Sequence, residues 1–169
     1  LTDVTASPLI DEAGPSRTEW LELFFDLVVV AAVALFTHTL ASEPTWLGVA
    51  IFATLFAGTW LTWVSVVMYA DVAGAQTRST TVAVCMMAVA VMAASDPVNH
   101  PGRANAFAIG FLVVRLLLAR AAVQTGRVLS SWPILQFGGF TLPWIAATWI
   151  DPPWKYWIWA AALVTDIGL

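Results

Sequence analysis

The feature that most limits what this chain can become is the recurrence of apolar stretches long enough to cross a lipid bilayer. A helix needs about 20 mostly apolar residues to span a hydrocarbon core roughly 30 Å thick. Measured against that length, the 169 residues divide into a polar arm and six spans. The spans run from Thr18 to Leu40, Thr45 to Tyr69, Thr80 to Ala94, Asn105 to Ala122, Ser131 to Ile150 and Trp154 to Leu169. Hydrophobic residues make up 60% of the chain and charged residues only 11%, against about 25% charged in a soluble domain. The mean hydropathy is +0.81. A soluble fold of this length has no room to hide so much apolar surface. The expected class is therefore all-α, a polytopic membrane helix bundle whose first partner is the lipid bilayer.

Other classes fall away on composition and motif. A net charge of −4 leaves no basic footprint for nucleic acid. A single cysteine, Cys85, cannot form an internal bridge. The chain has no GxGxxG, P-loop or GxSxG, and one Cys with two His offers no zinc spacing.

Residues 1–17 read as a loose acidic arm, with Asp3, Asp11, Glu12 and the breakers Pro8, Gly14 and Pro15. Residues 18–169 form the expected bundle. Its last span is short for a crossing, so the chain is expected to be one half of a longer protein. The missing half, or a second copy, is then the expected protein partner. The connectors carry turn chemistry, as in Ser42-Glu43-Pro44, the stretch Asp96 to Gly102, and Asp151-Pro152-Pro153. Trp46, Trp132, Trp154 and Trp157 fall at span ends, where an interfacial aromatic belt sits. With six spans, Arg17, Arg78, Arg120 and Arg127 share one side and only Arg103 and Lys155 the other. The excess of positive charge places the amino terminus in the cytoplasm.

Charges within spans are costly and are the natural functional candidates. Glu19, Glu22 and Asp26 recur at helical spacing on one stripe of the first span. Asp26 lies about 10 Å along that helix. Arg115, five residues before Arg120, lies about 7 Å from the same boundary. The matched depths predict an ion-pair cluster centred on Asp26 and Arg115, flanked by Glu22 and by Asp71 at the end of the second span. Pure helix-orienting structure and snorkelling of Arg115 are the competing roles. His38, near the far end of the first span, is a candidate proton-relay member, since imidazole titrates near neutral pH. Asp166 becomes interesting if the sixth helix carries it deep into the membrane. Phe56, Trp60 and Trp63 form an aromatic stripe that either packs against a neighbouring helix or stacks on a cation. Gly110 and Gly138-Gly139 permit close helix approach.

The segment Glu22-Leu-Phe-Phe-Asp-Leu27, followed by three valines and closing on His38, resembles the opening helix of the bacterial low temperature requirement A (LtrA) family. The tryptophan-rich second helix leading to Asp71, the stretch Met92 to Asp96, and Phe107 to Arg115 are similar to later parts of the same family. The resemblance covers about Arg17 to Leu169 and implies the amino-terminal half of a multi-pass protein of the bacterial inner membrane, linked to cold and stress growth. Tyr69-Ala-Asp71 lacks the Asn-Arg-Phe run that the family carries there. A more distant likeness is to potassium channels built from two six-helix repeats, whose first helix begins with an arginine and a Phe-Ser-Asp motif. Arg17 followed by Phe24-Phe25-Asp26 is similar. That likeness implies that Leu27, Val30, Ala34 and Leu35 line a pore and that the Asp26 cluster is scaffolding.

Three functions follow as expectations. The first is transport, as a channel or carrier for a small ion or solute. The second is a membrane enzyme acting on a lipid or small apolar substrate, with Glu22 and Asp26 as its carboxylate pair. The third is a stress-response scaffold working through partners.

Overall fold

The computed structural model describes residues 17–42, 44–73, 75–125 and 141–168. Six α-helices are found there: α1 (Arg17–Ser42), α2 (Trp46–Val72), α3 (Ala75–Ala94), α4 (Ala104–Thr125), α5 (Thr141–Ala147) and α6 (Trp154–Gly168). A short 3₁₀ turn, Pro101–Arg103, leads into α4. Among the described residues there is no strand.

Four of these helices, α1 to α4, are long and apolar enough to cross a membrane. They match the first four expected spans, with α3 and α4 each running further than the apolar pattern alone indicated. The sixth expected span appears as α6, which has 15 residues. Of the fifth, only α5 and the turn after it are described, and Gly138-Gly139 lies outside the described residues.

Local chemistry accounts for the ends. Thr45 caps α2 by accepting a hydrogen bond from Gly48 N at 3.0 Å, the role for which a hydroxyl before a helix is suited. Asp96 ends the run of α3 in the left-handed region at φ 39°, which Asp tolerates better than most residues because its side chain bonds locally. Its carboxylate accepts from Asn99 Nδ2 at 3.0 Å and faces His100 Nδ1 at 3.3 Å.

The helices alternate in direction, so the starts of α1 and α3 share one end of the bundle with the ends of α2, α4 and α6. α1 packs on α2 and α3, α3 on α4, and α2 also meets α4 and α6. α5 bridges α4 and α6. Half of α4's apolar window is buried, against 22% of α1's, so α4 is central and α1 peripheral. The close approach of α3 and α4 depends on Gly110, where an added Cβ would lie 2.6 Å from Met92 Cγ and 2.9 Å from the backbone oxygen of Ala88. Between α4, α5 and α6 the filler is aromatic. Trp144 stacks on Phe111 at 4.3 Å between ring centres and on Trp159 at 5.0 Å.

Candidate functional site

The polar contacts that join helices include three made by charged side chains within or beside the spans, each tying a different pair. Glu22 on α1 pairs with Arg78 on α3. Asp26 on α1 accepts a 2.7 Å hydrogen bond from the indole Nε1 of Trp63 on α2. Arg115 on α4 pairs with Asp166 on α6, both side chains only 4% exposed. The guanidinium of Arg115 also lies 5.4 Å from the ring centre of Phe111, one turn earlier on its own helix.

The expected pairing of Asp26 with Arg115 is therefore corrected. Among the described residues no ion pair joins them. One physical reason accounts for it. Both helices run further than the apolar pattern indicated, so Asp26 lies nine residues from the start of α1 and Arg115 ten from the end of α4, about 13 and 15 Å, and the depths still agree. Equal depth, however, says nothing about direction around a helix. The inward face of α1 is Phe25, Val29, Ala32 and Phe36, and Phe36 meets Phe107 of α4 edge-on at 6.1 Å. Asp26 follows Phe25 by one residue, a turn of about 100°, and so leaves that face.

The flanking members are likewise separated. Glu22 takes Arg78, and Asp71 stays exposed at the end of α2 with no ion pair among the described residues. His38 is exposed near the end of α1, and none of the described residues hydrogen-bonds its ring. Leu27, Val30, Ala34 and Leu35 all lie on the exposed side of α1.

Arg78 and Trp63 are partners that the linear pattern did not single out for these roles. A signal for Arg78 was present, because α1 and α3 both start at one end of the bundle, with Arg78 three residues after the start of α3 and Glu22 five after that of α1. Asp166 was noted for its depth but not for Arg115. A second tie supports that pair, since Lys155 Nζ at the start of α6 donates to Asn105 Oδ1 at the start of α4, at 2.7 Å. The two ties lie ten residues apart on α4 and eleven on α6, which sets those helices parallel and in register.

Buried polar atoms without a hydrogen-bond partner among the described residues are Asp166 Oδ1, Trp159 Nε1 and Thr59 Oγ1. The cavities among the described residues include the following two. One is an almost wholly apolar groove of about 260 Å³ between α2 and α6, floored by Ala50, Ala57 and Leu163. The other, about 230 Å³, lies between the end of α1, the start of α2 and the turn at Asn99, and is lined by Phe36, Thr39, Thr45 and Phe52. Neither is lined by Glu22, Asp26 or Arg115. Outside the spans, Asp96 has a perturbed acidity. Burial works against its charge, but hydrogen bonds from Asn99 and the nearby His100 outweigh it and hold the carboxyl below its ordinary value.

The arrangement is that of a lipid-embedded bundle held by internal polar ties, and comparison with known proteins agrees. No curated protein and no solved structure matches the chain. The family model described as "Bacterial low temperature requirement A protein (LtrA)" matches residues 17–169. With that match covering nearly the whole sequence, and with four helices fit to cross a bilayer, this membrane protein belongs to the LtrA family.

Proposed function

We propose that the chain is part of a transport protein of the bacterial inner membrane, forming a channel-type path for a small ion or solute along the outward face of α1. The observation that carries this reading is the division of labour on α1. Glu22 and Asp26 reach neighbouring helices, while Leu27, Val30, Ala34 and Leu35 stand exposed beside them. Glu19 and Asp26 border that same exposed face. Carboxylates at the edge of a span are poorly matched to acyl chains, so a face that includes them fits water or protein better than lipid. A further bundle, or a second copy of this chain, would then close the path from the other side. The amino terminus is assigned to the cytoplasm on the arginine asymmetry, and a role in growth at low temperature accords with the family's description. The enzyme reading loses its support, because Glu22 and Asp26 take separate partners instead of converging on one cavity.

The test is flux through liposomes that contain the purified protein, with wild type compared to Leu27→Ala and Asp26→Asn. Leu27→Ala is expected to change the rate or ion preference by widening the path. Absence of flux for every ion and small solute tried, with the protein correctly inserted, would remove the transport reading.

A further inference from the structure

The aromatic stripe on α2 is not sealed off. Phe52, Phe56, Trp60 and Trp63 form a continuous ladder, with ring centres 6.1, 6.0 and 5.0 Å apart. Phe52, Phe56 and Trp63 are half-buried, and Trp60, third in the row, is 49% exposed. At one end of the ladder stands Asp26. Its Oδ1 accepts from Trp63, while Oδ2 has no hydrogen-bond partner among the described residues, and the side chain lies on the exposed side of α1. The helices run antiparallel, so eleven residues back along α2 to Phe52 matches eleven residues forward along α1 to Thr37. The row is thus about 16 Å long, with a carboxylate at one end and the level of a hydroxyl at the other.

An exposed carboxylate at the indole edge that ends a row of aromatic rings matches one ligand chemistry in both charge and shape. A cation with an apolar skin loses little on leaving water, is attracted to the ring faces, and finds its counter-charge at the end of the row. A small inorganic anion is repelled by the same set, and a neutral apolar molecule gains nothing from the carboxylate. We infer that Asp26, with Trp60 and Trp63, forms a binding site for a free organic cation of the quaternary ammonium type. Asp26 lies about 13 Å along α1, below the level a lipid headgroup occupies, so the ligand is a solute and not a phospholipid. The inference rests on the proposed function in one respect, namely that the outward face of α1 is open to solute.

The experiment measures choline binding to the purified full chain in nanodiscs by equilibrium dialysis, so no transport is needed for a signal. Saturable binding is expected, competed by tetramethylammonium but not by the neutral isostere 3,3-dimethylbutanol. Asp26→Asn, which still accepts from Trp63, is expected to lower affinity at least tenfold. Trp60→Leu should lower it roughly threefold to thirtyfold, with Trp60→Phe retaining part. Trp149, exposed on the turn after α5, is the control, and Trp149→Leu should leave affinity unchanged. The inference is overturned by no saturable binding, by equal competition from the neutral isostere, by indifference to Asp26→Asn, or by an equal effect of Trp149→Leu. Binding that behaves as expected in a protein without flux would retain the site and discard the transport reading. Flux without choline binding would do the reverse.

Discussion

Arg115 and Asp166, fifty-one residues apart in the chain, close on each other between the middle of α4 and the last turn of α6. Both side chains are almost wholly buried. Removing one partner of such a pair strands the other in an apolar bundle, at a cost of about 3–5 kcal/mol, whereas replacing both by apolar residues is often close to neutral. Arg115→Leu and Asp166→Leu are each expected to lower the melting temperature in detergent sharply, and the double variant to recover most of the loss. A double variant as unstable as the sum of the singles would show that the pair does not act as a unit.

Asp26 and Arg115 are expected to behave independently. Their partners lie on different helices, Trp63 and Asp166. A double-mutant cycle on Asp26→Asn and Arg115→Leu should give a coupling within about 0.5 kcal/mol, the usual scatter for sites without a shared partner. A coupling of several times that size would restore a direct link between them.

Gly110 and Gly58 make a matched comparison in helix interiors. Alanine at 58 would meet Phe107 at ordinary contact distance, 3.4 Å, whereas at 110 it would meet the Ala88 backbone oxygen at 2.9 Å. The intrinsic gain of alanine over glycine, about 1 kcal/mol, applies to both. Gly58→Ala should be neutral or stabilising. Gly110→Ala should destabilise by about 1–3 kcal/mol as α3 and α4 are forced apart. Thermal unfolding of the two variants side by side checks this, and equal effects would count against a tight α3–α4 contact.

Asp96 introduces a pH dependence at the turn between α3 and α4. Its carboxyl is held below the ordinary value, so the folded state favours its charged form. The resulting stability is present above the unfolded-state value, near pH 4, and is lost as pH falls through the depressed folded value. The stability difference between wild type and Asp96→Asn should therefore shrink as pH falls below about 4. A difference that grows on acidification would reverse the sign.

Much of this protein was already decided by its linear pattern. Length and apolarity determined α1 to α4, because a helix that satisfies its own backbone is what lipid permits and about 20 residues are what its thickness demands. The Glu-Leu-Phe-Phe-Asp-Leu segment sufficed to indicate the family. Turn chemistry also marked the connector before Thr45 and the Asp96 turn as places where helices begin and end. What the order of residues left open was which polar groups meet. Depth follows from counting along a single helix, and the count put Asp26 and Arg115 at one level. Pairing depends on rotation around each helix and on which helices are neighbours, and those are set by the packing of Phe25, Phe36, Phe107, Trp144 and Trp159 across the whole bundle. That packing sends Arg115 to Asp166, Glu22 to Arg78 and Asp26 to Trp63, and it leaves one side of α1 uncovered.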